Sequence, residues 1–525
     1  MRTRPNSFSA RAVVASSSQY ASAAGARILE KGGNVFDAAI ATSAVLAVTQ
    51  NNLCGLGGDM FALLRSEGHG IININGSGKS FSKASIGYFK ENGLNSLPPR
   101  GPYAALTVPG LVSGWNEIYR NCTIDIKQLL MPAFTIADEG YPVTQNYSES
   151  VELSAKYLAM YEEWKNTFYA DSKAPAPGTL FKQKALAGTL KLLMEDGLES
   201  FYTGYVSDKI IKGLEGSGAL ITHDDLKNHR AVVERPLSTD FFDHKLYETA
   251  PNSQGATAIL WANMIQEFYN EKGRMPNDPE LIKLGLISYE ERNKNIADPN
   301  YHPLPNYFVS KEFAKNLMLK EPNISAGGRT KADGDTTYFA VSDGEGNSIS
   351  MIQSNYMGFG SGIMPRGMGF VLQNRGSYFN LNEGHHNSLA PNKRTFHTLC
   401  AAMLEKDGMF ETSFGSMGGD IQPQLHVQIL VGLLNRLNDP QSVLDKPRWA
   451  FPYTIYEKPS KIICESEELA RSISRELKGL QCYSQNFSSE FGHAQIVALL
   501  PNGVVVGAAD PRGDGTAEPA LSIKA

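Results

Sequence analysis

The amino-acid sequence predicts a mixed α/β (α+β) fold, because helical patterns dominate its first half and a β-hairpin pattern follows in its second. The 525 residues are enough for a large core. Residues 20–31 are predicted to form a helix that ends at Gly32-Gly33, and Asn34 can cap a second helix carrying the apolar run 38–48. Three further stretches have a helical pattern: 125–140, 181–198 and 256–269.

A β-hairpin is predicted to follow residue 335. Residues 336–342 (TTYFAVS) and 348–354 (SISMIQS) have β-strand composition, and the five residues between them (DGEGN) are turn formers. If the loop is centred on Glu345, Thr336 lies opposite Ser354, although a shift by one residue stays open. The preceding stretch, 325–335, contains glycine, charged and small residues and is predicted to be an exposed linker.

The start of this hairpin carries residues that could support self-cleavage. A threonine freed at a chain terminus supplies both nucleophile and base, because its α-amine has a pKa of about 7.7–8.0 and can take the Oγ proton near neutral pH. Asp335-Thr336-Thr337 is weak evidence as a bare tripeptide. Its position between an exposed linker and a strand makes the bond after Asp335 a candidate cleavage site.

Residues 412–420 (TSFGSMGGD) are predicted to form a short strand and a glycine turn, followed by a helix over 421–437. Gly418 and Gly419 would then present backbone N–H groups at the start of that helix. Such groups, together with the helix dipole, favour an anion or a developing oxyanion. An ordinary tight turn explains the two glycines equally well at this point.

The composition argues against several classes of function. A formal net charge of −5, with no run of like charges, gives no reason to expect nucleic-acid or membrane binding. The five cysteines are scattered without CxxC spacing, which favours reduced thiols over disulfides or a zinc site. The N-terminal segment lacks the apolar region of a secretory signal, and no apolar run reaches the roughly 20 residues that span a bilayer. We therefore expect a cytoplasmic protein.

No metal or cofactor site is predicted. The GSGKS sequence at 76–80 lacks the first glycine of a phosphate-binding loop. His385, His386 and His397 lack metal-ligand spacing on a helix and are expected in solvated loops. Cys54 is expected to be a buried thiol without special reactivity.

The sequence resembles the γ-glutamyltranspeptidase (glutathione hydrolase) family over nearly its whole length. The resemblance rests on many segments that recur in the family's order rather than on any single motif. The segments are 14–62, LTVPGLVSGW (106–115), ADEGYPV (137–143), 218–237, YETAPNSQGA (247–256), DTTYFAVSDGEGN (335–347), SNYMGFGSGI (354–363), LAPNKR (389–394), GSMGGD (415–420), DKPRW (445–449) and AADPRGDGTA (508–517).

The resemblance implies a four-layer αββα sandwich of the N-terminal-nucleophile hydrolase type. It implies a precursor cut into a large subunit, 1–335, and a small subunit, 336–525, which remain together as one globular unit. Whether two such heterodimers associate stays open. The reaction partners implied are a small-molecule amide, followed by water or an amine acceptor.

The resemblance also implies the catalytic residues. Thr336 corresponds to the nucleophile, and Gly418 and Gly419 correspond to the oxyanion hole. Ser354 falls where the family has a threonine that hydrogen-bonds the nucleophile, in agreement with the hairpin register. Thr336 Oγ would first attack the carbonyl of Asp335 and later a substrate amide, forming an acyl-enzyme.

The substrate pocket departs from the family pattern. The residues at its positions are Ser77, Tyr356, Asn374, Arg375, Tyr378, His397 and Thr398, of which Asn374 alone is retained. The arginine that binds the donor's α-carboxylate falls at Ser77, and the groups that hold its α-amino group fall at Arg375 and Tyr378. We expect Arg375 to anchor a carboxylate through its planar fork, with a structural ion pair as the open alternative.

Three functions remain open from the sequence. The first is hydrolysis or transfer of a γ-glutamyl or related small acyl group. The second is hydrolysis of an amide whose acid lacks the α-amino group, as in oxamate amidohydrolase or the glutaryl (cephalosporin) acylases, and the replaced pocket favours it. The third is a processed but catalytically inactive binding protein.

Overall fold

The protein is a sandwich of two seven-stranded antiparallel sheets. The computed structural model describes residues 3–322, 335–434, 436–477 and 479–521, so the predicted linker lies outside the described residues except for Asp335. The hairpin sheet has the strand order Thr516–Ala520, Ala12–Ser16, Asp335–Asp343, Ser348–Tyr356, Asp59–Ser66, Gly70–Gly76 and Val232–Glu234. The facing sheet has the order Ser7–Ser9, Val505–Ala509, Ala494–Leu499, Met409–Ser416, Ala402–Lys406, His244–Glu248 and Leu237–Phe241.

Helices cover the outer face of each sheet. On the side of the hairpin sheet they are Gln19–Glu30, Val35–Thr49, Ile86–Glu91, Leu111–Tyr119, Ile126–Glu139, Lys184–Asp196, Tyr205–Gly213 and His223–Lys227. The helices Gln145–Leu158 and Glu162–Phe168 pack in a separate cluster with Phe359, Met364 and Val371. On the side of the facing sheet they are Gly255–Lys272, Asp278–Asn295, Lys311–Leu317, Gln422–Leu433, Pro440–Leu444 and Glu467–Glu476. Two small sheets complete the fold: Trp449–Ala450 with Lys461–Cys464 and Gln481–Ser484, and Tyr141–Pro142 with Leu180–Phe181.

The strand that begins at Asp335 explains why the molecule has four layers. Successive side chains of a strand point to opposite faces of its sheet. Phe339 and Val341 belong to the core beneath the helices, whereas Tyr338 and Ala340 belong to the core between the two sheets. The alternation of apolar residues on both faces thus requires a helical layer on one side and a second sheet on the other. The αββα prediction is confirmed.

The predicted helices are found with small shifts at their ends. Asn34 caps the helix Val35–Thr49 through its side-chain oxygen, as predicted. The helix predicted over 421–437 extends over Gln422–Leu433, so its end was predicted wrongly. Leu434 and residues 436–438 form turns before Pro440, whose fixed φ begins the next helix. No helix in the described ranges is both long and apolar enough to cross a membrane.

Candidate active site

The open end of the hairpin carries a bulge at Thr336. The pairs from Thr337 to Ser342 follow the predicted register. Beyond them the register shifts by one residue, so that both Ser354 and Asn355 lie across from Thr336. A bulge of this kind redirects side chains and is frequent beside active sites. It turns the Thr336 side chain towards that of Ser354.

Ser354 connects the Thr336 hydroxyl to the peptide bond that precedes it. Thr336 Oγ1 donates a hydrogen bond to Ser354 Oγ at 3.2 Å, and Ser354 Oγ donates to the carbonyl oxygen of Asp335 at 2.6 Å. The N–H of Tyr356 also donates to Ser354 Oγ, at 2.7 Å, which fixes the direction of the serine hydroxyl. This carbonyl belongs to the predicted cleavage site. The serine proton polarises it, and the buried threonine hydroxyl is bonded to the same serine oxygen.

The glycine turn follows the strand Met409–Ser416, which packs against the hairpin. A side chain at Gly415 would approach the Tyr338 ring to 2.4 Å, so the two sheets come close here only because this residue is glycine. Gly418 and Gly419 have φ of 138° and 58°, a left-handed region that favours glycine. Their backbone N–H groups have no acceptor among the described residues. The turn therefore offers two free N–H donors on the sheet that faces Thr336.

Four of the predicted pocket residues form what we call the arginine pocket: Tyr356, Arg375, Tyr378 and Thr398. The Arg375 guanidinium lies 4.0 Å from the ring centre of Tyr356 and 5.5 Å from that of Tyr378. Arg375 Nη2 donates to Thr398 Oγ1 at 2.8 Å. Tyr356 is two residues from Ser354, so the pocket adjoins the nucleophile's hydrogen-bond partner.

Arg375 has hydrogen-bonding capacity that the protein does not use. Its side chain is buried, yet Nε and Nη1 have no hydrogen-bond partner among the described residues. Within that part of the chain, Arg375 also forms no ion pair. Burial lowers its pKa, although a guanidinium remains charged in proteins. A buried cation with two open donors is costly alone and suits an anionic ligand.

Two other predicted pocket residues hydrogen-bond to other groups of the protein through their side chains. Ser77 Oγ donates to Asn75 Oδ1 at 2.6 Å. Asn374 Oδ1 accepts from the N–H of Met357 at 3.0 Å, and its Nδ2 donates to the carbonyl of Pro99 at 2.7 Å. Both side chains are buried, and their role in substrate binding stays a prediction.

His397 is buried, so its expected place in a solvated loop is wrong. Its Nδ1 accepts from the N–H of Leu399 at 3.3 Å, which assigns the ring proton to Nε2, 3.0 Å from Asp59 Oδ2. Burial lowers the pKa of His397 well below its usual range. Burial also raises the pKa of Asp59 to about 7, against hydrogen bonds from Gln373 and the N–H of Gly78.

Asp59 and Arg100 are two residues near the site that sequence reasoning missed. Asp59 begins the strand directly across from Ser354. Arg100 donates through Nη1 to the carbonyl of Gly358 at 2.5 Å and also to that of Gly360. Burial lowers the pKa of Arg100, and nearby Asp335 opposes this effect. The sequence offered one signal for Asp59: a charged residue ends the glycine-rich sequence GLGGD and begins an apolar strand.

One group of metal-ligand residue types occurs in the described ranges, and it includes none of the predicted site residues. It consists of Glu248, Cys400 and His426, all buried. Glu248 Oε1 lies 2.7 Å from His426 Nδ1, which is a hydrogen-bond distance and shorter than the spacing of two zinc ligands. Burial raises the pKa of Cys400 well above its usual range, which opposes the thiolate that a metal requires. A buried glutamate–histidine pair accounts for this geometry.

Comparison with known proteins agrees with the fold. The sequence matches the gamma-glutamyltranspeptidase family over residues 21–520. It is 36% identical to the glutathione hydrolase-like YwrD proenzyme of Bacillus subtilis (strain 168), covering 96% of this chain and 98% of that protein. It is 33% identical to the oxamate amidohydrolase proenzyme of Klebsiella pneumoniae, covering 93% and 95%.

A solved structure extends the comparison to three dimensions. The crystal structure of cephalosporin acylase from Bacillus halodurans matches with a TM-score of 0.91 and 31% identity, covering 100% of this chain and 98% of that one. The relatives are proenzymes, which implies processing into a large and a small subunit. The protein is an N-terminal-nucleophile hydrolase, and its chain belongs to the gamma-glutamyltranspeptidase family.

Proposed function

We propose that the chain cleaves itself before Thr336 and then hydrolyses an amide whose acyl part carries a carboxylate but no α-amino group. The observation that carries the proposal is the contact from Thr336 Oγ1 through Ser354 Oγ to the carbonyl of Asp335. These contacts support a role for Thr336 as nucleophile and for Ser354 as the donor that polarises the Asp335 carbonyl.

This arrangement supports self-cleavage. Thr336 Oγ attacks the Asp335 carbonyl carbon, the peptide C–N bond breaks, and the acyl group of Asp335 passes to oxygen as an ester. The Thr336 nitrogen takes the Oγ proton and becomes the free α-amine. Water then hydrolyses the ester to the Asp335 carboxylate and the Thr336 hydroxyl. That amine, with a pKa of about 7.7–8.0, becomes the base that takes the Oγ proton in each later turnover. The free N–H groups of Gly418 and Gly419 would stabilise the oxyanion.

The two proposed subunits would remain interlocked. In the hairpin sheet, Asp335–Asp343 pairs with Ala12–Ser16 of the large subunit on one side and with Ser348–Tyr356 of the small subunit on the other. The facing sheet also takes strands from both subunits. Separating them would expose the core between the sheets, so the halves should co-purify after cleavage.

The arginine pocket supports a carboxylate and argues against an α-ammonium group. Arg375 offers two open donors to an anion. The oxygen of Asn374, the family's retained asparagine, accepts from the N–H of Met357, and the hydroxyl of Tyr378 donates its hydrogen bond to Asp420. A pocket with an unpaired cation would repel the ammonium of a γ-glutamyl group.

The relatives are consistent with this acyl class. One is named as an oxamate amidohydrolase, and oxamate is a carboxylate-bearing amide without an amino group. A structural neighbour is named as a cephalosporin acylase. Another relative is named as glutathione hydrolase-like, so γ-glutamyl amides remain the competing substrate class.

The test compares p-nitroanilides of three acyl groups with the same five-carbon chain: glutaryl, γ-glutamyl and pentanoyl. Oxamate, succinamate and glutaramate are followed in parallel by release of ammonia. We expect the carboxylate-bearing amides without an amino group to react fastest. Their advantage in kcat/KM over pentanoyl should be about tenfold to a hundredfold, because a buried hydrogen bond to a charged group contributes roughly 1.5–3 kcal/mol.

Arg375→Met is the matched variant for this panel. It should remove the preference for a carboxylate while leaving hydrolysis of the pentanoyl anilide nearly unchanged, and Arg375→Lys should restore part of the preference. Faster hydrolysis of the γ-glutamyl anilide than of the glutaryl anilide by the wild type would contradict the proposed acyl class. An unchanged preference in Arg375→Met would contradict the assignment of the carboxylate anchor.

A further inference from the structure

Asp420, directly after the two glycines of the turn, is buried and held by two side chains. Tyr378 Oη lies 2.7 Å from each of its carboxylate oxygens. Arg292 Nη1 lies 3.3 Å from Oδ1. Burial raises the pKa of Tyr378 well above its usual range, so its hydroxyl keeps the proton and acts as the donor. Asp420 is therefore fixed from the side of the arginine pocket by Tyr378.

The main chain of the turn is fixed at three successive carbonyl groups. The carbonyl of Gly418 accepts from the N–H of Ile421 at 3.2 Å, that of Gly419 from Gln254 Nε2 at 2.9 Å, and that of Asp420 from Tyr289 Oη at 2.5 Å. The C=O and N–H of one trans peptide point in opposite directions. Holding the carbonyl of Gly418 therefore sets the direction of the N–H of Gly419.

The same groups form one connected network. Arg292 Nη1 donates to Gln254 Oε1 at 2.9 Å as well as to Asp420, so the side chains that hold the turn also hold each other. Tyr378 connects this network to the arginine pocket, because its ring packs edge-on against Tyr356 at 5.4 Å between centres. A single tyrosine thus touches both the proposed acyl-binding residues and the support of the turn.

We propose that Tyr378 is a positioning residue whose hydroxyl, by holding Asp420, keeps the N–H groups of Gly418 and Gly419 aimed at the reacting carbonyl. This role rests on the proposed function, since it requires that the turn stabilise an oxyanion. It differs from binding substrate directly, because the hydroxyl makes its bonds to the carboxylate of the turn.

Tyr378→Phe removes this hydroxyl and keeps the ring. Loss of one oxyanion donor costs roughly 10²–10³ in kcat, and a misaimed donor should cost less. We therefore expect kcat to fall about tenfold, with KM within about threefold of the wild type. Tyr247→Phe is the matched control, because Tyr247 Oη also donates to a buried carboxylate, that of Glu405, at 2.7 Å. Neither residue belongs to the proposed site. It should leave kcat unchanged.

Two substrates separate this proposal from the proposed function. The first is whichever amide of the panel the wild type hydrolyses fastest, and failure of the wild type on all of them would contradict the acyl assignment alone. The second is p-nitrophenyl acetate, an activated ester whose acyl group has no carboxylate for Arg375. Acylation of Thr336 by this ester should also slow about tenfold in Tyr378→Phe.

A double-mutant cycle with Asp420→Asn tests the route of the effect. If the hydroxyl acts through the carboxylate, Tyr378→Phe should cost clearly less in the Asp420→Asn background than in the wild type. Three results would overturn the proposal: kcat within twofold of the wild type for both substrates, a raised KM with unchanged kcat, or fully additive effects. The second of these would indicate that the hydroxyl contacts substrate.

Discussion

The hairpin end and the arginine pocket are neighbours that differ in how their polar groups are satisfied. At the hairpin end, the hydroxyls of Thr336 and Ser354 and the carbonyl of Asp335 bond to one another. In the arginine pocket, Arg375 keeps two donors that no described protein atom accepts. The hairpin end therefore satisfies its own polar groups, whereas the arginine pocket would be completed by the carboxylate that we propose as its ligand. On that proposal, the reacting groups can be retained while the acyl group changes.

The largest expected effect comes from the hairpin end. Thr336→Val replaces the hydroxyl by a methyl group of similar size, so self-cleavage should stop and amide hydrolysis should fall by about 10⁴ or more. Thr337→Val is the same change one residue away, where the hydroxyl makes a weak 3.8 Å contact with Cys54 Sγ. It should leave both reactions intact. If Thr336→Val still cleaved itself and hydrolysed amides, the hairpin end would not supply the nucleophile.

A smaller effect is expected at Ser354, because we propose that it polarises the carbonyl and does not attack it. Ser354→Ala should slow both self-cleavage and turnover by about a hundredfold, within the range for a positioned proton donor. Ser354→Thr retains the hydroxyl and should recover most of the rate. The cleavage half-life on denaturing gels measures the effect, and equal rates for the alanine and threonine variants would count against a role for the hydroxyl.

In the arginine pocket, a substitution that removes the proposed function should stabilise the fold. Arg375→Met removes a buried charge with two unsatisfied donors, which cost about 1–3 kcal/mol when left unpaired. The variant should therefore melt about 1–3 °C above the wild type without ligand, given the size of the chain. Its loss of carboxylate preference makes this a trade of function for stability. A clearly lower melting temperature would indicate a structural role for the arginine.

The smallest effect is a pH dependence at Asp59. Burial raises its folded-state pKa to about 7, above the value near 3.9 expected for the unfolded chain. Protonation thus favours the folded state, and this contribution is fully present below about pH 4 and lost as the pH rises through about 7. Unfolding free energy measured from pH 5 to 8 should fall more steeply in the wild type than in Asp59→Asn. Equal slopes of unfolding free energy against pH in the two proteins would contradict the raised pKa of Asp59.

The sequence predicted the hairpin well because its signals are local. The turn sequence DGEGN and the two-residue alternation determine which residues pair, and the pairs from Thr337 to Ser342 are as predicted. The bulge at Thr336 was not predictable, because it depends on how the end of the hairpin meets neighbouring strands. The helix after the glycine turn was found, but its end at Leu433 depends on turns that no periodicity marks.

The pocket was harder to predict because its contacts are distant in sequence. His397 bonds to Asp59, 338 residues away, so nothing near His397 marks it as buried. The same holds for Tyr378, whose hydroxyl bonds to Asp420, 42 residues later. The open donors of Arg375 are a property of the packed site. Residue type could suggest a carboxylate anchor there, but only the fold reveals which nitrogens lack partners.

Intact mass spectrometry of the purified wild-type protein, with N-terminal sequencing, tests the central claim most directly. We predict two masses that correspond to residues 1–335 and 336–525, with threonine as the first residue of the smaller chain. A single uncut chain under all conditions, or a cut at another bond, would contradict the assignment of Thr336 as the nucleophile.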